Sequence, residues 1–96
     1  MKTVIRIEEE CHGFIGLVED ETDIIPFLIN KEWLSKTYTI SVLDIEKRWR
    51  RILLTDLFGE NWDEILSTMS LAALSRIFDG SFYFHYETVY SSTPDY

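Results

Sequence analysis

Cys11 and His12 stand side by side in the stretch Glu9-Glu10-Cys11-His12-Gly13-Phe14, and His85 lies in the aromatic run at 81–90. A thiol and two imidazoles are the groups in this chain best suited to nucleophilic or metal chemistry. Cysteine catalysis needs the sulfur within reach of a base whose ring is held by a third group, and adjacent residues seldom turn their side chains toward one another. Glu8, Glu9 and Glu10 also put negative charge where a thiolate would form. Gly13 supplies the positive φ that a tight corner requires, so the reading for Cys11-His12 is a hairpin corner. A metal site would take three or four ligands at useful spacings. Only Cys11, His12, His85 and a glutamate could supply them, and no spacing motif joins them. No P-loop, GxGxxG turn, GxSxG elbow or HExxH helix occurs. The expectation is therefore no catalytic residue, no metal and no cofactor; the rival is a small enzyme using Cys11 or His85.

These side chains must be positioned by a short chain. Its 96 residues suit one α+β domain spanning 1–96, able to bury roughly 60 to 70% of its unfolded surface. An apolar fraction of 46% against 27% charged excludes a disordered polymer. No apolar run has the length of a membrane span, and three glutamates arrive where a signal peptide would need its apolar core. With a single cysteine, these features predict a cytoplasmic protein. The net charge of -8 predicts no direct nucleic-acid binding, since phosphate attraction needs an excess of cations.

Periodicity sets the elements. Residues 2–8 alternate, with Ile5 and Ile7 on one face and Arg6 and Glu8 on the other, as in a half-buried strand. Residues 14–18 form a second strand, completing a hairpin, and Gly16 inside it marks a bulge or a close backbone approach. Asp23 or Thr22 caps a helix over 24–34, with Pro26 in its first turn. After a connection at 35–40, Ser41-Val42-Leu43-Asp44 resembles a capping box that opens a helix running to Leu57 or Phe58 and stopping at Gly59. An alternative makes 37–43 a fourth strand. Shorter helices begin at Asn61-Trp62-Asp63-Glu64 and, capped by Ser70, continue to Phe78. Residues 81–90 form the last strand, and 91–96 fray. Strands at both chain ends meet most economically in one small antiparallel or mixed sheet of about three strands, covered on one face by about four helices.

Three surfaces then compete for function. Lys47-Arg48-Trp49-Arg50-Arg51 is basic with an aromatic inside it, but helical phase turns Trp49 inward with Ile45, Ile52 and Leu53 and fans the cations over the solvated face. Asp44–Arg48 and Glu46–Arg50 become i,i+4 pairs; a docking patch for an acidic partner or an RNA phosphate is the rival reading. The acids at Glu8, Glu9, Glu10, Glu19, Asp20, Glu21 and Asp23 flank the first hairpin, where they solubilise and complement helix dipoles, or imitate nucleic acid. On the last strand Phe82, Phe84 and Tyr86 share the face toward the helices, while Tyr83, His85 and Glu87 share the other, beside Arg6 of the first strand. Arg6, Tyr83, His85 and Glu87 are the candidate partner-binding residues, either for another protein or for a homodimer formed by edge pairing.

The pattern His12-Gly13-Phe14-Ile15-Gly16, Phe27-Leu28-Ile29 with Trp33, Leu57-Phe58-Gly59-Glu60-Asn61-Trp62 and Phe78-Asp79-Gly80-Ser81-Phe82 resembles a group of short uncharacterised acidic proteins of Gram-positive bacteria and their phages and prophages. The resemblance implies a cytosolic accessory protein and assigns no functional residue. Size and charge alone are similar to those of acidic toxin-immunity proteins. The expected function is a non-enzymatic protein-binding module, phage- or prophage-related; the alternative is an inhibitor or immunity-type protein that neutralises a basic toxin or mimics nucleic acid.

Overall fold

The computed structural model describes residues 1–90. The tail at 91–96, expected to fray, lies outside the described residues. The chain runs β1 (Lys2–Glu9), β2 (Gly13–Val18), a 3₁₀ turn (Glu21–Asp23), α1 (Ile24–Asn30), β3 (Thr39–Leu43), β4 (Trp49–Leu53), α2 (Leu54–Phe58), α3 (Trp62–Ser67), α4 (Leu71–Ile77) and β5 (Phe82–Val89). The class is α+β, with, among the described residues, a three-stranded antiparallel sheet in the order β2-β1-β5, a separate β3-β4 hairpin, and four α-helices. No helix among the described residues is long and apolar enough to cross a membrane.

The two ends of the chain do join. β1 pairs with β5 from Lys2↔Val89 to Glu9↔Phe82 without a break. Because side chains alternate along each strand, Ile5, Ile7, Phe82 and Phe84 point together into the core. There they meet Ile24, Ile25 and Leu28 of α1, Leu54 of α2, Trp62 and Leu66 of α3, and Leu74 of α4. Phe78 just after α4 is the aromatic hub, with ring centroids 5.6 Å from Phe82, 6.4 Å from Phe84 and 6.0 Å from Tyr38.

Both expectations for Gly16 hold. Ile7 pairs with Gly16 but Glu8 with Phe14, leaving Ile15 as the extra residue of a bulge. The ring of Phe27 from α1 lies against the Gly16 backbone, so close that a β-carbon there would stand 2.2 Å from its ring.

The largest correction concerns 41–58. No long helix forms; β3 and β4 pair antiparallel from Thr39↔Leu53 to Leu43↔Trp49, in line with the alternative of a strand at 37–43. Asp44 decides it. Its carboxylate accepts hydrogen bonds from the backbone N–H groups of Glu46 (2.9 Å) and Arg48 (2.8 Å), using the acid to close a turn instead of capping a helix. Backbone bonds Asp44 N–H to Arg48 C=O and Lys47 N–H to Asp44 C=O complete the corner, with Lys47 at φ 61°. Ile40, Val42 and Ile52 alternate toward the body, whereas the helical stripe through Ile45 and Trp49 has no core to meet. Ile45 is 100% exposed and Trp49 72%, so the inward placement of Trp49 is overturned. Asp44 does pair with Arg48, but across the turn, and Glu46 reaches Arg48 at 2.7 Å and not Arg50.

Two further boundaries shift. Asp20, not Asp23 or Thr22, supplies the side-chain cap, accepting from the Thr22 N–H at 3.1 Å; the chain enters α1 through a 3₁₀ turn. Asp23 precedes α1 without a side-chain cap bond. α1 ends at Asn30 because Glu32, at φ 64°, turns the chain: Trp33 N–H donates to Leu28 C=O and Glu32 N–H to Ile29 C=O. That is a Schellman closure, with glutamate in the place glycine usually takes. Ser70 caps α4 as expected, accepting from the Ala73 N–H.

Candidate interaction surface

β1 positions Arg6 and Glu8 on the face of the sheet opposite the core, and register places β5 and β2 neighbours beside them. Arg6 lies across from His85 on one side and Leu17 on the other; Glu8 lies across from Tyr83 and Phe14; Val4 lies across from Glu87. The four candidate residues Arg6, Tyr83, His85 and Glu87 therefore share one open face, joined by Phe14 and Leu17, which the sequence reasoning did not include. A period-2 count through the bulge is what hid them: Phe14 and Leu17 share a side only because one residue is inserted between them.

The face is internally ordered. The Arg6 guanidinium sits 4.2 Å from the centroid of the Phe14 ring and its Nε donates to Glu8 at 2.9 Å. A cation held over an aromatic and tethered by a carboxylate loses little freedom when a partner arrives. Phe14, Leu17 and Tyr83 leave substantial apolar surface exposed around it. β5 is the outer strand on its side, with its far edge unpaired within the described sheet. The β2 edge is bent by the bulge, whereas β5 runs regularly through all eight of its paired positions.

The corner at Cys11-His12 is tied as a turn. The Glu9 carboxylate accepts from the Cys11 N–H at 2.9 Å and the His12 N–H at 2.9 Å, and it lies 2.6 Å from His12 Nδ1. The His12 side-chain bond is the main reason the Glu9 carboxyl is held below its ordinary 4.5, aided by those backbone donors. The His12 ring meets Trp33, just past the end of α1, edge-on at 4.9 Å. Among the described residues no group of three His, Cys, Asp or Glu side chains is arranged to hold a metal ion. The acids near the first hairpin are largely engaged inside the chain: Glu8 with Arg6, Glu9 with His12, Glu19 with Lys2, and Glu21 with the Tyr86 hydroxyl. The Glu21 bond raises the Tyr86 phenol above its ordinary 10.0.

Two other surface features come from the tertiary structure. The β3-β4 hairpin carries Leu43, Ile45 and Trp49 outward among Lys47, Arg48, Arg50 and Arg51. An open groove of about 750 Å³ lies between α1 and α3, lined by apolar Val18, Pro26, Phe27 and Ile29 and by polar Asp23, Asn30, Asp63 and Ser67. No protein-family model, curated protein or solved structure matches this chain.

Proposed function

We propose that this protein is a non-enzymatic binding module that engages a protein partner through the open face of its β2-β1-β5 sheet. One observation carries the reading: of the two faces of this sheet, one is packed by the helices and the other presents Arg6, Phe14, Leu17, Tyr83, His85 and Glu87 with no covering element among the described residues. Aromatic area beside a pre-positioned arginine, rimmed by carboxylates, is the composition that dominates protein interfaces. The His12 ring, the base nearest Cys11 in sequence, is engaged by Glu9 and Trp33 in the hairpin corner, which favours binding over turnover. The acidic-mimic reading draws less support, because four of its carboxylates, Glu8, Glu9, Glu19 and Glu21, are occupied by neighbours in the same chain.

A photo-crosslinking residue at position 83 or 85 tests this in native lysate, with position 60, exposed between α2 and α3, as the control. The expected result is a discrete adduct from 83 and 85, absent from 60 and abolished by Arg6→Glu. Equal labelling from all three positions, or none from 83 and 85, refutes the proposal.

A further inference from the structure

The β3-β4 hairpin and the α1-α3 groove are complementary to each other. Residues 44–51 hold four cations and two anions, a net +2, which leaves -10 on the rest of the chain. The two anions are consumed locally: Asp44 closes the turn and pairs with Arg48, which also holds Glu46. Lys47 and Arg50 have no ion pair among the described residues, and Arg51 is braced against Thr39 at 2.8 Å. Between these cations stand Trp49, 72% exposed, and its cross-strand partner Leu43, 54% exposed. An exposed pair of this size near the tip of a hairpin is costly to leave in water and marks a contact surface.

The groove has the opposite character. Its floor is apolar, through Val18, Pro26, Phe27 and Ile29, and its two flanking carboxylates, Asp23 and Asp63, have no cationic partner among the described residues. It calls for a large apolar side chain carried between positive charges. The hairpin tip of the same chain is such a ligand.

We propose that a second copy of this chain fills the groove with its Trp49 hairpin, and that the exchange is reciprocal, giving a twofold dimer. Trp49 seats on Phe27 and Pro26, while Lys47 at the turn and Arg51, on the same face of the ribbon as Trp49, meet Asp23 and Asp63. Reciprocity matters energetically: one ribbon tip is a small contact, but a twofold repeats it and moves the total toward the roughly 1,200–2,000 Å² of stable interfaces. This contact uses neither the open sheet face nor the β5 edge, so it stands or falls separately from the function proposed above.

Sedimentation equilibrium of the full chain at about 0.15 M salt tests it. The wild type is expected to dimerise, and Trp49→Ser and the Asp23→Lys/Asp63→Lys pair are each expected to raise the dissociation constant by about 30-fold or more, the loss typical of a buried tryptophan anchor. Asp23, Trp49 and Asp63 are all exposed, and circular dichroism of each variant checks that it folds. The deciding sample mixes the two variants: a heterodimer retains one intact hairpin facing one intact groove, so it must be tighter than either variant's self-association. A monomeric wild type overturns the proposal, as does a dimer that both variants leave unchanged, which would indicate β5 edge pairing. A monomer that binds single-stranded oligonucleotides through Trp49 also overturns it and gives the hairpin to nucleic acid.

Discussion

Gly16→Ala isolates the contact that fixes α1 over the sheet. The added β-carbon would stand 2.2 Å from Phe27 Cζ and 2.7 Å from Cε2, well inside contact distance, while the Gly16 backbone itself has no positive φ to lose. The cost therefore comes from displacing one ring. That ring is half-buried and packs against the core cluster, so it can swing toward the groove only by giving up part of its contact. Overpacking of this kind costs about 1–3 kcal/mol. For a domain of this size each kcal/mol corresponds to about 4–8 °C in Tm. Thermal and urea unfolding of Gly16→Ala should show a loss in that range, with the urea slope unchanged. Shortening the ring in Phe27→Leu should remove the obstruction, so the double variant should be more stable than the sum of the two single effects by about 0.5–3 kcal/mol. Additive effects, or a Gly16→Ala variant within about 0.5 kcal/mol of wild type, would refute the argument that ring contact is why glycine stands at this position.

Three further outcomes follow from named contacts. Glu32→Gly, at the left-handed position closing α1, should stabilise the protein by up to about 1 kcal/mol, measured as a rise in Tm, because a β-carbon is penalised at that φ. His12→Ala should move the Glu9 carboxyl up toward 4.5 in an NMR titration. Since the folded value is the depressed one, the contribution of Glu9 is complete above the unfolded value and is lost as pH falls through the folded value, so the variant should lose less stability on acidification. Glu21→Gln should bring the Tyr86 phenol down toward 10.0 in an ultraviolet titration. The raised folded value means that this group's contribution is present below 10.0 and fades as pH rises past it, and the variant should lack that alkaline loss.

The sheet at the chain ends and the open-face residues of its β1 and β5 strands were readable from the order of the residues alone. Strict alternation in β1 and β5 assigns each side chain to a face, and a one-residue slip would expose Ile5, Ile7, Phe82 and Phe84 together, so register follows from pattern. Ser70 and the corner at Gly13 were equally plain, because a cap and a turn use only neighbours in sequence. Phe14 and Leu17 were missed since the bulge resets the count between them. The segment at 41–58 was misassigned for a different reason. Val42, Ile45, Trp49 and Ile52 satisfy a helical period, and Ile40, Val42 and Ile52 satisfy a strand's, so local pattern is ambiguous there. Long-range packing breaks the tie: the helices already fill the core, Ile40 is buried at the hairpin base, and the Leu54 N–H is held by the Tyr38 C=O at 3.0 Å. What the residues determined by themselves is the α+β class and which face of the sheet is open. What tertiary structure decided is that Trp49 and its arginines stand outside the body, because a side chain's burial depends on whether the core has room left for it, and that is a property of the whole chain.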